Sequence, residues 1–263
     1  MTAPRRAVVV AAGLGRRLLP YTDEMPKCLV PVGGRPMLAR ACALFRAHGV
    51  EEIVVVRGYR ADVLEARRGE LGPGVRFVDN TAFRENNILE SLFCAEAFLD
   101  EPFYFSYADI VFAPEVMAAL AAAAGDVCLV VDRAFRDIYA GRSEHPLDEA
   151  EVTSLDRDGL VAKIGKRALP AAEAFGEFIG LAKISADGAR AFVSAWRGLR
   201  AAYAGREDEP FGRAPRFRVA YLTDLLQHLI DGGARMTPVV IDGRWREIDT
   251  VQDLERAQVS VDW

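Results

Sequence analysis

The sequence predicts an α/β protein with a Rossmann-like, three-layer α/β/α architecture, a mostly parallel central sheet and a small antiparallel lobe. In the first half, short β-branched apolar runs alternate with segments of helical periodicity, the pattern of βαβ units. In the second half, two strand-like segments flank Asp158 and Gly159, a pair typical of hairpin turns. The 263 residues, of which 51% are hydrophobic, can bury one substantial core, so we expect a single domain over residues 1–263.

The first half is predicted to alternate strands and helices. The run from Val8 to Ala12 contains no polar residue, as expected of a strand buried on both faces of a parallel sheet. A helix follows from Pro36, which suits a first helical turn, and it ends at Gly49. The same alternation predicts strands at 53–56, 75–78, 103–107 and 127–131, and helices at 61–68, 88–98 and 115–124.

The pattern changes after residue 132. Segments 152–155 and 160–164 predict a β-hairpin, and 178–184 and 236–241 predict two further strands. Helices are predicted from Ser185 or Asp187 to about residue 203, from residue 221, and behind Thr250, whose spacing to Asp253 matches a capping box. The polar residues 205–218 contain Pro and Gly, so we expect a mobile loop there.

Composition excludes several functional classes. The net charge of −5 argues against a nucleic-acid partner, although residues 1–40 carry seven basic and two acidic side chains, as suits a small polyanionic ligand. There is no run of eighteen apolar residues and no leader ahead of the first strand, so we expect no membrane association and a cytoplasmic location. Four cysteines and three histidines are scattered, which favours neither disulfides, zinc nor a histidine metal cluster.

A glycine-containing loop follows the first strand. Gly13 and Gly15 let the backbone pass close to a ligand, and their N–H groups can face phosphate oxygens. Arg17 lies beside this loop and Lys27 follows ten residues later, so both can contact phosphates. No Gly-Lys-Ser/Thr closes the turn, which excludes a P-loop, and Leu18 replaces the third glycine of a dinucleotide fingerprint. The loop therefore predicts a nucleoside triphosphate site.

The complete string around this loop resembles the signature of sugar-phosphate and phosphocholine nucleotidylyltransferases. It reads G-x-G-x-R-L, then P-x-T, P-K-x-L-x-P-V-G and P-M-L, between residues 13 and 38. The later N-N-I-x-x-S resembles phosphocholine- and phosphonate-type cytidylyltransferases, although the two asparagines could instead cap a helix. The loop and the resemblance together predict these nucleotide-binding residues: Ala11, Ala12, Gly13, Gly15, Asn80, Asn86, Asn87 and Ser91.

Two aspartates are candidate metal ligands. Asp109 and Asp249 both follow strand-like segments, so both can lie at the carboxyl edge of the sheet. Mg²⁺ typically takes one or two carboxylates and fills its other positions with phosphate oxygens and water. In the resembled family, Y-A-D-x-V and E-x-D-T-x-x-D hold the metal ligands, and both strings are present here. Asp249 could alternatively be a simple helix-entry residue ahead of Thr250.

The resemblance implies magnesium-dependent transfer of CMP from CTP to a small phosphate- or phosphonate-bearing acceptor, with release of pyrophosphate. Arg17 is expected to hold pyrophosphate, and Lys27 to neutralise charge where acceptor and α-phosphate meet. Residues 1–132 would form the nucleotide-binding half, and 133–263 the acceptor-binding half with the second metal ligand. The alternatives are a sugar-1-phosphate enzyme that uses UTP or dTTP, and a nucleotide sensor without turnover. The preferred base, the acceptor, the pathway and the oligomeric state stay open.

Candidate acceptor contacts follow the strand that ends at residue 132. Three arginines within ten residues, at 133, 136 and 142, suit an acceptor with extra negative charge or several hydroxyls, unless this is a solvated loop. A polyol phosphate or a phosphonate, including one with a carboxylate, is therefore expected to be a better acceptor than choline phosphate. Glu177 could also bind a hydroxyl or an amine. The predicted acceptor-binding residues are Asp132, Arg136, Tyr139, Arg142, Glu177 and Asp224.

Overall fold

The computed structural model describes residues 3–263, in which strands and helices alternate along the chain. The strands are β1 (Arg6–Ala11), β2 (Pro31–Val32), β3 (Arg35–Pro36), β4 (Glu52–Arg57), β5 (Val75–Asp79), β6 (Phe103–Tyr107), β7 (Ile110–Phe112), β8 (Val127–Asp132), β9 (Glu151–Leu155), β10 (Val161–Lys166), β11 (Gly176–Ile184), β12 (Met236–Ile241) and β13 (Trp245–Glu247). The helices are α1 (Met37–Ala47), α2 (Ala61–Ala66), α3 (Ile88–Cys94), α4 (Pro114–Ala122), α5 (Phe135–Tyr139), α6 (Ala186–Ala202), α7 (Leu222–Asp231) and α8 (Val251–Ser260).

The central sheet is built around β1. This strand pairs in parallel with β4 on one side and β6 on the other, and β5 continues the parallel order beyond β4. Val8 and Val9 are completely buried because helices cover both faces of the sheet, which is why the run carries no polar residue. A mostly parallel sheet between two helical layers confirms the predicted fold class.

The antiparallel strands continue the same sheet. β11 runs antiparallel to β6 and also pairs with β8 and β9, and β9 pairs with β10 as the predicted hairpin. β12 then pairs in parallel with β8. The sheet order is therefore β10-β9-β11-β6-β1-β4-β5, with β8 and β12 branching from β11. The hairpin lies beside the carboxyl edge of the parallel strands, where α/β sheets bind ligands.

Several local details differ from the sequence-based predictions. The helix predicted over 88–98 ends at Cys94, and a short 3-10 turn follows. Asn87 precedes α3 but makes no capping hydrogen bond, because its side-chain amide donates to the carbonyl oxygen of Val219 at 3.2 Å. The segment expected to be a mobile loop buries Phe211 and Phe217 against the core.

The starts of two predicted helices are confirmed. Ser185 Oγ accepts a hydrogen bond from the N–H of Gly188 at the start of α6. Thr250 and Asp253 form the expected capping box of α8. Across residues 3–263, every helix is too short or too polar to span a lipid bilayer.

Candidate active site

The glycine loop after β1 lies directly against Lys27. Gly15 adopts a left-handed backbone with φ of +60°, and a Cβ there would come within 3.0 Å of the Lys27 side chain. Thr22 Oγ1 donates to the Gly15 carbonyl oxygen at 2.8 Å and fixes the loop from the other side. A Cβ on Gly13 would meet no atom within 4 Å, so the backbone there borders open space. The loop is thus held close to a cation while one face stays open to a ligand.

A small two-stranded sheet brings the two candidate metal ligands together. β13 runs antiparallel to β7, with Glu247 opposite Ile110. The backbone N–H of Ile248 donates to the carbonyl oxygen of Asp109 at 2.9 Å, which extends this pairing by one residue. Asp109 and Asp249, 140 positions apart in sequence, therefore reach the same side of the glycine loop.

Lys27 lies between these two carboxylates. Its Nζ donates to Asp109 Oδ2 at 2.7 Å and also contacts Asp249 Oδ1. Arg17 donates to the other oxygen of Asp249 at 2.5 Å. The sequence-predicted cations and aspartates thus form one cluster beside the glycine loop.

Burial and neighbouring charges shift the pKa values of Lys27 and Asp249. Burial alone would lower the pKa of Lys27, but the carboxylates of Asp109 and Asp249 outweigh it and raise that pKa above its ordinary value. Burial would likewise raise the pKa of Asp249, but Lys27, His145 and Arg17 hold it well below its usual range. Lys27 therefore stays cationic and Asp249 anionic at neutral pH.

A cavity of about 430 Å³ opens over the glycine loop and matches most of the predicted nucleotide contacts. It is lined by Ala12, Gly13, Gly15, Arg17, Lys27, Phe83, Asn86, Asn87, Ile88, Ser91, Asp109 and Asp249, among others. Asn80 lies behind this wall and is 2% exposed, with its Nδ2 donating to Asn86 Oδ1 and Ser91 Oγ, both at 2.9 Å. Ala11 forms part of β1 behind the loop. The structure thus places Asn80 as a support for the wall.

A second cavity of about 190 Å³ adjoins the first. The two share Val10, Arg17, Asn87, Ile88, Asp109 and Asp249 in their linings. The second cavity also contains side chains that the sequence reasoning missed, namely Tyr107, Glu149, Glu151, Lys166, Tyr221, Trp245 and Glu247. Glu151 on β9 and Lys166 on β10 are paired across the predicted hairpin. The register of that hairpin could therefore have indicated that these two side chains lie together.

Glu177 is the predicted acceptor residue that lines the second cavity. It is 4% exposed, and its Oε1 accepts a hydrogen bond from the hydroxyl of Tyr139 at 2.8 Å, whereas Oε2 has no partner. Burial, together with the charge of Glu247, raises the pKa of Glu177 well above its ordinary value. The structure therefore places Tyr139 behind the cavity, where it orients Glu177.

A bulge in β11 shapes the same cavity. Gly180 has φ of +80°, and a Cβ there would lie 2.1 Å from the ring of Tyr107. The strand register shifts between Phe178 and Ala182 at this point. The absence of a side chain at Gly180 thus makes room for Tyr107, whose hydroxyl donates to Glu151 at 2.9 Å.

Three other predicted acceptor-binding residues do not line the second cavity and are hydrogen-bonded to other parts of the protein. Asp132 is fully buried and accepts hydrogen bonds from the Trp245 indole and from two backbone N–H groups. Arg136 is exposed and donates to carbonyl oxygens of residues 171 and 174. Asp224 caps α7. The prediction that they contact the acceptor does not agree with their positions, because other groups of the protein already use their polar atoms.

Arg142, another predicted acceptor-binding residue, is also held by other side chains of the protein. Its Nε donates to Asp253 Oδ1 at 2.6 Å, and its terminal nitrogen donates to Asp253 Oδ2 and Glu247 Oε2, both at 3.0 Å. The same nitrogen lies 3.0 Å from His145 Nδ1, which in turn lies 3.0 Å from Asp249 Oδ2. Arg142 and His145 therefore hold Asp249 from behind.

The carboxylates fit a hard divalent cation. Asp109 Oδ1 is buried and has no hydrogen-bond partner, while Asp249 converges on the same Lys27 ammonium. Oxygen donors of this kind are those that Mg²⁺ prefers. A second group of possible ligand atoms lies within 4.8 Å of one another and belongs to His145, Glu247 and Asp249. One histidine therefore lies beside the carboxylates, although the three histidines are scattered in the sequence. Because His145 contacts Asp249 directly, we interpret it as a support for that ligand.

Comparisons with known proteins agree with this arrangement. Residues 7–237 match the model of the MobA-like NTP transferase domain. The chain is 31% identical over 255 residues to a CTP:phosphoglutamine cytidylyltransferase of Campylobacter jejuni, which covers 95% of this chain and 97% of the relative. It is 33% identical over 164 residues to a 2-aminoethylphosphonate cytidylyltransferase of Lancefieldella rimae, which covers 61% of this chain and 60% of that one.

A solved structure shares the fold. The inositol-1-phosphate CTP transferase from T. maritima superposes with a TM-score of 0.74 at 22% identity, over 100% of this chain and 99% of that chain. The resemblance inferred from the signature strings is thereby confirmed. The chain belongs to the family of the MobA-like NTP transferase domain, and it is a nucleotidyltransferase.

Proposed function

We propose that this protein transfers CMP from CTP to the phosphate or phosphonate oxygen of a small acceptor and releases pyrophosphate. The observation that carries the proposal is the junction of the two cavities. They share Asp109, Asp249 and Arg17, so a triphosphate in the larger cavity and an acceptor in the smaller one would meet at this cluster. In-line attack needs the attacking and leaving groups on opposite sides of the α-phosphorus, and two adjoining cavities suit this requirement.

The chain needs no dedicated general base for this reaction. A phosphate monoester has a second pKa of about 6 and is already largely dianionic at neutral pH. The acceptor oxygen forms the new bond to the α-phosphorus as the bond to the pyrophosphate oxygen breaks, and pyrophosphate leaves with the electron pair. The main obstacle is repulsion between two anions, so positioning and neutralisation of charge supply most of the rate.

Each residue of the cluster has a distinct part in this mechanism. Gly13 and Gly15 keep the backbone close to the phosphates. Lys27 neutralises charge at the α-phosphate and the attacking oxygen, and Arg17 binds the departing pyrophosphate. Asp109 and Asp249 would hold Mg²⁺, which neutralises phosphate charge when bound.

The choice of CTP is supported by the relatives. The relatives from Campylobacter jejuni and Lancefieldella rimae are both named as cytidylyltransferases. Asn86, Asn87 and Ser91 line the larger cavity, where amide and hydroxyl groups can bind a base or ribose.

A pyrophosphate-release assay tests the proposal. The protein is incubated with each of CTP, UTP and dTTP, with Mg²⁺ and with a panel of alkyl phosphates, aminoalkyl phosphonates and sugar 1-phosphates. We expect acceptor-dependent pyrophosphate release that is fastest with CTP. Faster turnover of UTP or dTTP with a sugar 1-phosphate would instead favour the sugar-phosphate alternative. Tight CTP binding by calorimetry, without turnover of any pair, would favour a nucleotide sensor.

A further inference from the structure

The smaller cavity has more carboxyl groups than cationic side chains, so some of its carboxyl groups lack a counterion. Six carboxylates and two cationic side chains line it. Lys166 pairs with Glu149 at 2.9 Å, Arg17 pairs with Asp249, and Arg142 reaches Glu247 from behind the wall. Asp109 pairs with Lys27. The two remaining carboxylates belong to Glu151 and Glu177, for which residues 3–263 provide no ion-pair partner.

Glu151 and Glu177 differ in how completely their oxygens are hydrogen-bonded. Both oxygens of Glu151 accept hydrogen bonds, one from Tyr107 at 2.9 Å and one from Thr223 at 3.2 Å. Glu177 is 4% exposed, yet its Oε2 accepts none. A buried acceptor without a donor destabilises the folded protein, so its presence at a cavity wall indicates that a ligand supplies the donor.

We propose that Glu177 selects an acceptor whose end remote from the phosphate carries a primary ammonium group. This inference rests on the proposed function, because the cavity is treated as the acceptor site. An ammonium group supplies the missing N–H donor, and its positive charge favours the ionised form of Glu177. A quaternary ammonium has charge but no N–H, and a hydroxyl has a donor but no charge.

This inference replaces the sequence-based expectation of an acceptor with extra negative charge. That expectation depended on Arg133, Arg136 and Arg142, and none of these side chains lines the cavity. Arg142 is paired with Asp253 and Glu247. Arg136 donates to backbone oxygens of residues 171 and 174, and Arg133 is paired with Asp242. A carboxylate on the acceptor would instead leave Glu151 and Glu177 without a counterion.

Steady-state kinetics with three matched probes test the selection. The probes are an aminoalkyl phosphonate, its hydroxyalkyl analogue and its N-trimethylated analogue, all of one chain length, each assayed with CTP and Mg²⁺. For the wild type, we expect kcat/KM to be highest for the primary amine. Glu177→Gln keeps the shape of the side chain and its contact with Tyr139 but removes the charge. We expect it to lower kcat/KM for the amine by about 10- to 100-fold, mainly through KM.

The hydroxyl analogue is the internal control for folding, because its turnover by Glu177→Gln should change little. Glu173→Gln, at an exposed glutamate of the same lobe, should leave all three probes unchanged. Equal loss for the amine and the hydroxyl analogue in Glu177→Gln would assign Glu177 a structural role and overturn the inference. A wild type that prefers the trimethylated or hydroxyl probe would also overturn it, while leaving nucleotidylyl transfer intact.

A complete lack of turnover would count against the proposed function, and a binding measurement then tests Glu177 separately. Calorimetric titration of the amine and hydroxyl probes into the protein requires no catalysis. Preferential binding of the amine that is lost in Glu177→Gln would support the inference. Equal binding of the two probes would refute it.

Discussion

Removal of the Arg142 guanidinium should destabilise the fold, because this arginine is an internal support. Its side chain is 2% exposed, and that of its partner Asp253 is 4% exposed. Truncating one member of a buried ion pair typically costs about 3–5 kcal/mol, since the other charge stays buried without its counterion. Asp253 also accepts hydrogen bonds from the backbone N–H groups of Asp249 and Thr250. These contacts remain in Arg142→Met, so we expect a loss near the lower limit, about 3 kcal/mol.

The assay is urea denaturation at pH 7, monitored by circular dichroism, together with thermal melting. At ~2–4 °C per kcal/mol for a protein of this size, the melting temperature should fall by about 6–12 °C. Arg133→Met is the matched control, because Arg133 forms a comparable pair with Asp242 in which the two side chains are 59% and 58% exposed. An exposed pair contributes at most about 1 kcal/mol. If Arg142→Met is no less stable than Arg133→Met but loses affinity for the acceptor, the structural interpretation is wrong.

Three further predictions concern the site itself. Asp109→Asn and Asp249→Asn should each lower turnover by orders of magnitude in the pyrophosphate assay. The double variant should lose little more than either single variant, because the two residues act as a unit. Near-normal turnover of Asp249→Asn would mean that Asp249 serves only at the entry to the helix. Lys27→Ala should lose turnover by about 10²- to 10³-fold with only a modest change in CTP affinity by calorimetry, and normal turnover would place the cation outside the reaction. Burial raises the pKa of Glu151 from 4.5 to about 7, so its contribution to stability is complete below pH 4.5 and is lost as the pH rises through 7. Relative to Glu151→Gln, the unfolding free energy of the wild type should therefore fall over this interval by up to about 1.4 kcal/mol per pH unit, and a constant difference would contradict the assigned pKa.

The first half of the chain could be predicted from the sequence because its information is local. The first strand, the glycine loop and Lys27 lie within one short stretch, and the strand-helix alternation determines where the carboxyl edge of the sheet falls. Asp109 and Asp249 could each be identified as a candidate metal ligand from the sequence string that contains it. Their meeting point, however, depends on the pairing of β7 with β13, which joins segments with no shared sequence pattern.

The second half of the chain was harder to predict because the contacts of each charged side chain depend on distant partners. Arg142 looked available in sequence, but its carboxylate partners lie more than a hundred residues away. Arg136 and Asp224 are used by neighbouring backbone groups. Conversely, Glu151 and Lys166 reach the cavity only because β9 and β10 fold onto β11. Charge counts along the chain cannot distinguish a paired arginine from a free one.

The most direct test of the central claim is ³¹P NMR of the reaction mixture. CTP, Mg²⁺ and an aminoalkyl phosphonate are incubated with the protein, and the products are identified by their phosphorus couplings. We expect a new pair of mutually coupled resonances, from the CMP phosphorus joined to the acceptor phosphorus, together with one equivalent of pyrophosphate. Free CMP with pyrophosphate would mean hydrolysis, and CDP with a phosphorylated acceptor would mean attack at the γ-phosphorus. Either result would contradict nucleotidylyl transfer at the junction of the two cavities.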